Sequence, residues 1–321
     1  MKRPLIFLVP LILILGTLGT LHGITITPAY TKAPLQPRHG ALPVLPTGFQ
    51  SPRFHGLPQV IHSAHDLTLL FDSTKSTLTD LVSTKKANPF IFKNLPRDFN
   101  SLPVKEKTSN FIAFITPHII EVNTDILKVR SAIDTLRNKK KRGESFSVEE
   151  STWIAFVATQ FRLKSPNLDT LHSRINTIPV ALMVAQAINE SGWGTSRFAI
   201  EGNAIFGQHA TKKGNLDYMV SRSGTARVAA FDDLYLCMAG YLLNLNRNMS
   251  YRYLRSIRAA YERKGQPVTG HALAQGLIKY SIRGQEYVDE LRGIIRRYNL
   301  EALNSVEIDT TKQLNYYQFT R

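Results

Sequence analysis

Eight apolar residues, Phe111, Ile115, Ile119, Val122, Ile126, Val129, Ile133 and Leu136, recur at spacings of three and four along one stretch of this chain. That spacing is the period of an α-helix with one buried stripe, so a long helix must be a principal element of any core that forms. It opens after Leu102-Pro103. Pro117 falls inside it and predicts a kink or a break, because proline removes a backbone donor. The basic run from Arg137 to Arg142, closed by Gly143, reads as a solvated helix end that complements the helix dipole.

Further helices follow. Ser147-Val148-Glu149-Glu150 is a capping box that opens a helix through about Arg162. Pro179 suits the first turn of the next helix, whose apolar face is Val180, Met183, Val184, Ala187 and Ile188. Asp232 can cap a helix carrying Leu234, Cys237, Met238, Tyr241 and Leu245. Two more run from about Gly270 to Tyr280 and from Gln285 to Tyr298. Turn signals at Lys213-Gly214-Asn215 and Ser223-Gly224 surround two short strand-like pieces, a small β-lobe. The fold class is mostly α. Seven prolines between Pro28 and Pro58 mark an extended linker. The organisation expected is an N-terminal segment over 1–23, a proline-rich and poorly defined region over 24–100, the main domain over 101–300 and a peripheral tail over 301–321.

Charge narrows the partners. Lys+Arg number 40 against 24 Asp+Glu, a net charge of +16, which favours anionic polymers or surfaces. Lys2 and Arg3 precede an apolar run from Pro4 to Leu15, the pattern of a secretory signal or of an uncleaved membrane anchor. An exported basic protein meets envelope polymers, and no nucleic-acid-recognition motif is present, so nucleic acid is not the expected partner. The single cysteine, Cys237, excludes an intrachain disulfide and a zinc cluster. His62, His65 and Asp66 have a metal-like spacing but no rigid scaffold around them, so neither a metal nor another cofactor is expected.

The chemistry concentrates between Ile178 and His209. Glu190 ends an apolar helix and is followed by Ser191-Gly192-Trp193-Gly194. Partial desolvation and the negative end of the helix dipole both raise the pKa of such a carboxylate. A raised pKa suits a general acid that delivers a proton to a leaving oxygen. Trp193 and Phe206 offer apolar surface, Asn203 an amide, and the two glycines room for a substrate. On local grounds alone, a glutamate bonded at a helix end is the commoner case.

The run Ala185-Gln186-Ala187-Ile188-Asn189-Glu190-Ser191-Gly192-Trp193-Gly194, followed by Gly202-Asn203-Ala204-Ile205-Phe206-Gly207-Gln208, resembles the peptidoglycan N-acetylglucosaminidases of glycoside hydrolase family 73, and within it the Bax group of Gram-negative bacteria. Phe231-Asp232, Asn244-Leu245-Asn246, Tyr251 with Leu254, and the block from Leu277 to Val288 extend the resemblance over about Pro103 to Tyr298. It implies a lysozyme-like fold, a helical core with the β-lobe flanking a substrate cleft, in the periplasm or on the inner membrane, and glycan strands of peptidoglycan as partner. It implies Glu190 as general acid, Tyr280 as an active-site tyrosine, and Trp193, Asn203, Phe206 and Tyr287 along the sugar groove. For the second carboxylate, Glu201, Asp217, Asp232 and Asp233 stand between Glu190 and Tyr241. Asp232 and Asp233 suit helix capping, and Asp217 in the β-lobe is the choice. The substrate's own acetamido group is the alternative, in which case Glu190 alone is essential. Ile282 stands where the group has a glutamate. Two other readings remain: a lytic transglycosylase, though its Gly-Leu-Met-Gln block is missing, and an inactive peptidoglycan-binding protein.

Overall fold

The computed structural model describes residues 43–45, 57–210 and 217–320. Its longest element is the helix that the apolar stripe demands, α3 (Val104–Lys141); α1 (Ala64–Thr74) and α2 (Leu78–Thr84) precede it. Every stripe residue from Phe111 to Leu136 is buried, at 2 % exposure or less. The helix runs unbroken through Pro117, so of the kink or break expected there the break does not occur. Around it stand α4 (Val148–Gln160), α5 (Leu168–Arg174), α6 (Val180–Ser191), α7 (Arg197–Gly202), α8 (Leu234–Arg247), α9 (Arg252–Arg263), α10 (Gly270–Leu273) and α11 (Gln285–Arg297). Ser147 caps α4 with both halves of the predicted box in place. The cap of α8 is Asp233, one residue beyond the expected Asp232; its carboxylate accepts from the Leu236 amide at 2.8 Å. Cys237 on α8 is buried, and burial pushes its thiol up to about 12.

The small β-lobe is present as an antiparallel hairpin. Two of the seven described strands form it, Tyr218–Val220 paired with Arg227–Ala229. The Ser223-Gly224 turn joins them, whereas Lys213-Gly214-Asn215 lies outside the described residues. The hairpin leans on α7, where the Phe231 amide donates to the Gly202 carbonyl at 2.9 Å.

Two expectations fail at the chain ends. Residues 59–92, within the region 24–100 read as proline-rich and poorly defined, carry β1 (Gln59–Ile61), α1, α2, β2 (Lys86–Ala87) and β3 (Phe90–Phe92). The C-terminal residues, read as a peripheral tail, supply β6 (Glu307–Ile308) and β7 (Asn315–Phe319), counting the hairpin strands as β4 and β5. The last strand sits between β1 and β3 and is parallel to both; β6 runs parallel to β2. His118 of α3 locks this layer to the helical core, accepting from the Phe92 amide at 2.9 Å. Burial lowers its pKa to about 4, so the imidazole is neutral. The linker is also docked at one point: Trp153 donates to the Pro43 carbonyl at 2.8 Å, and Leu45 is buried. The segment 1–23 and the remaining linker prolines before Pro58 lie outside the described residues. Among the described residues no helix is long and apolar enough to cross a membrane.

At the centre of the molecule lies α6. All residues from Val180 to Ile188 are buried, the pattern of a helix packed on every side. Its entry is held from three directions. Asn123 of α3 exchanges two hydrogen bonds with the backbone of Ile178, and Asn304 from the C-terminal region accepts from the Ala181 amide at 2.9 Å. Arg258, 3 % exposed, donates to the carbonyls of Arg174, Asn176 and Thr177. Burial, together with Arg130 and Arg255 nearby, lowers the Arg258 pKa to about 9.

Asp233 supplies a stability test. Burial raises its pKa from 3.8 to about 6. A raised folded-state pKa gives stability that is present below the unfolded value and lost as pH rises through the folded one. Asp233→Asn keeps a competent cap and removes the charge. The variant should match the parent at pH 4 and exceed it by roughly 2 kcal/mol at pH 8 in denaturant unfolding; a difference that does not vary with pH contradicts the burial argument.

Candidate active site

Gln186 and Glu190 stand four residues apart and therefore on one face of α6, at its open end. The helix stops on Gly192 in the left-handed conformation, φ +57°, and Trp193 (φ +63°) and Gly194 (φ +73°) follow in the same region. Gly194 is required twice over. A Cβ there would meet the Phe111 ring at 2.8 Å, and the positive φ disfavours any side chain. Trp193 tolerates its positive φ because its ring is wedged between Phe111 and Tyr298, edge-on to both, with centroids 6.0 and 5.0 Å away.

A directed chain of hydrogen bonds ends on Glu190. Tyr241 of α8 donates to the Gln186 side-chain carbonyl, the Gln186 amide donates to the Tyr287 hydroxyl at 3.1 Å, and Tyr287 donates to Glu190 Oε1 at 2.7 Å. With the Gln186 N–H aimed at its oxygen, Tyr287 has one proton to give, and it goes to the carboxylate. Asn189 adds a longer bond to the same oxygen, 3.4 Å. Both bonds favour the ionised acid. Desolvation acts the other way and is the larger effect, so the Glu190 pKa is raised. Among charged groups, Glu290 of α11 pushes it up and Arg283 pulls it down. These two are themselves paired, Arg283 Nη1 to Glu290 Oε2 at 2.8 Å.

The remaining expected residues divide. Tyr280 stacks on Tyr287 at 5.4 Å and donates its hydroxyl to the Phe206 carbonyl at 2.7 Å, so it braces the tyrosine that touches the acid. Phe206 is 1 % exposed and stacks on Tyr241 at 3.8 Å. Its side chain belongs to the core under the site, and its backbone carbonyl anchors Tyr280. Asn203, also buried, takes the left-handed φ that ends α7 and donates to the Phe231 carbonyl at 3.0 Å. Asp217 is exposed at the foot of the hairpin, where its carbonyl accepts from the Ala230 amide. Ile282 is 93 % exposed in the turn before α11. Sequence reasoning passed over Gln186, Tyr241 and Glu290. Gln186 alone carried a signal, a polar residue on an otherwise apolar helix face one turn before the acid. Among the described residues no cluster of His, Cys, Asp or Glu could hold a metal ion.

The Tyr287 hydroxyl holds the Glu190 pKa below what burial alone would set. A general acid, the role proposed below for Glu190, works below its pKa and loses activity as pH rises through it. Tyr287→Phe should therefore move the alkaline limb of the rate profile to higher pH, while turnover falls about tenfold from looser positioning of the carboxyl. An unshifted or lowered limb would show that the hydroxyl does not set the acid.

Residues 166–300 match the family model described as mannosyl-glycoprotein endo-beta-N-acetylglucosaminidase, the Glucosaminidase family. The chain is 28 % identical over 183 residues to Protein bax of Escherichia coli (strain K12), covering 55 % of this chain and 64 % of that relative, less than two thirds of its length. The catalytic domain of the autolysin Auto from Listeria monocytogenes aligns over 53 % of this chain and 96 % of its own, at 20 % identity and a TM-score of 0.31, too loose a likeness to transfer detail. The family match spans the helix that carries Glu190, the hairpin, and α8 to α11, less than half of the chain, so residues 166–300 resemble a glucosaminidase domain.

Proposed function

We propose that the chain is an exported endo-β-N-acetylglucosaminidase that cuts the glycan strands of bacterial peptidoglycan after N-acetylglucosamine, with Glu190 as general acid. The observation that carries this is the raised pKa of a half-buried Glu190 held by a dedicated tyrosine. A carboxyl group in that state can protonate the glycosidic oxygen as the bond to the sugar breaks, leaving an oxocarbenium-like centre for water to capture. The description of the matching family supplies the endo-acting glucosaminidase chemistry. The polymer is inferred from the export pattern at Lys2-Arg3 and Pro4 to Leu15, and from the net charge of +16, which suits an anionic wall. The same pattern supports a periplasmic site of action, with the N-terminal segment cleaved or retained as an anchor.

The second participant is the open chemical choice. Glu290 is engaged by Arg283, which leaves two routes. Asp217 acts as base from the hairpin, across a carboxyl separation of ~6.5–9.5 Å in an inverting reaction, or the substrate's acetamido oxygen attacks the adjacent carbon and only Glu190 is needed.

Purified full-length protein should clear isolated sacculi and release products with reducing N-acetylglucosamine ends. Glu190→Gln should lose about a hundredfold or more of that activity. Asp217→Asn separates the routes, losing a comparable amount only if the carboxylate is the base. Clearing by Glu190→Gln at the parental rate sinks the assignment of the acid. Anhydro-muramic ends would make the protein a transglycosylase, and sacculus binding without any product would make it a binding protein.

A further inference from the structure

A cavity of about 430 Å³, lined by Asn189 but not by Glu190 itself, opens between the end of α6 and α11. Asn189, which bonds Glu190, forms its near edge, Trp193 and Tyr298 one wall, and Glu290 and Arg297 its charged rim. None of these contacts is explained by the proton transfer at Glu190.

One feature on this cavity weakens the fold without a packing reason: Gly293, which lines it, lies inside α11, where glycine is a poor helix former. Its φ is not positive, and a Cβ built there would meet nothing within 4 Å. Close packing therefore does not demand the glycine; an added side chain would occupy open space. Departures from local preference that no packing explains gather at functional sites.

The charge pattern names the ligand. Glu290 is paired with Arg283 at 2.8 Å, while Arg297 has no acidic partner among the described residues. A guanidinium next to an aromatic and aliphatic wall is suited to a carboxylate, which it can take with two parallel hydrogen bonds. N-acetylglucosamine carries no carboxylate. Its neighbour along a peptidoglycan strand does: the lactyl group of muramic acid, free or extended by a peptide with carboxylates of its own.

We propose that the cavity bounded by Trp193, Gly293 and Arg297 is a subsite for a carboxylate of the muramic acid branch, gripped by Arg297 next to the sugar whose bond is cut. The proposal rests on the peptidoglycan reading and adds which part of the polymer the domain recognises. It makes the domain selective for strands that carry an acid at that position over uncharged N-acetylglucosamine polymers of the same length.

The test uses full-length Glu190→Gln protein, so that nothing turns over, and binding measured by titration calorimetry or NMR. The probes are a chito-oligosaccharide, an N-acetylglucosamine–N-acetylmuramic acid fragment with a free lactyl carboxylate, and the same fragment extended by a dipeptide. The acidic fragments should bind about tenfold more tightly than the chito-oligosaccharide. Adding Arg297→Gln should erase that preference and leave chito-oligosaccharide binding as it was, and Gly293→Leu should obstruct the acidic fragments in the same way. The stronger of the two acidic fragments identifies the carboxylate, lactyl or peptide. No preference in the parent, or equal losses for charged and uncharged probes, overturns the proposal. Thermal unfolding of each variant separates a lost subsite from a lost fold. Wild-type protein assayed in parallel keeps the two readings apart: failure to cut any glycan rejects the hydrolase function, whereas cutting without carboxylate preference rejects only the subsite.

Discussion

Desolvation of one carboxylate, opposed by one hydroxyl, is the interaction around which this molecule is organised. Glu190 lies at the open end of a helix that is buried from Val180 to Ile188, so the same packing that makes α6 a core element withdraws water from the acid. Tyr287 then returns part of what burial removed. The Tyr241–Gln186–Tyr287 chain determines which atom gives the proton and which accepts it. An exposed glutamate at the end of a solvated helix would have neither property.

The position of that helix end depends on groups far away in sequence. Asn123 of α3 and Asn304 of the C-terminal region hold its entry, and buried arginines fix the segment before it. Arg130, Arg255 and Arg258 donate mainly to backbone carbonyls rather than carboxylates. Satisfying carbonyls at the ends of α5 and α8 lets these cations remain in the interior, because a buried guanidinium needs several acceptors. Burial first, and repulsion from Arg130 and Arg255 second, lower the pKa of Arg258. Part of the excess of basic residues is therefore scaffold, and only the exposed part is available to an anionic partner.

How much of this was legible in the sequence follows from the range of each interaction. The stripe of α3, the capping box at Ser147 and the apolar face of α6 are local patterns, and all three elements formed where they were expected. The shift of the α8 cap from Asp232 to Asp233 is the usual one-residue ambiguity of adjacent capping residues. The parallel sheet was invisible: Gln59 pairs with Tyr317, and no turn or periodicity links strands 258 residues apart. The raised pKa of the Glu190 carboxyl was readable from its helix and its glycine-rich turn. Its hydroxyl partner was not, because Tyr280 and Tyr287 lie seven residues apart on one block and only the packing of α11 on α6 decides which hydroxyl reaches Glu190.

The central claim, that burial outweighs hydrogen bonding at Glu190, is open to direct measurement. Carboxyl carbon shifts of the folded protein, labelled at glutamate and assigned by comparison with Glu190→Gln, can be followed from pH 3 to pH 9. One resonance absent from the variant should titrate clearly above the range of the ordinary glutamates, which lies near 4.3. Titration of that resonance at or below that range would mean that Tyr287 and Asn189 dominate, that the acid is ionised at neutral pH, and that Glu190 is not the proton donor.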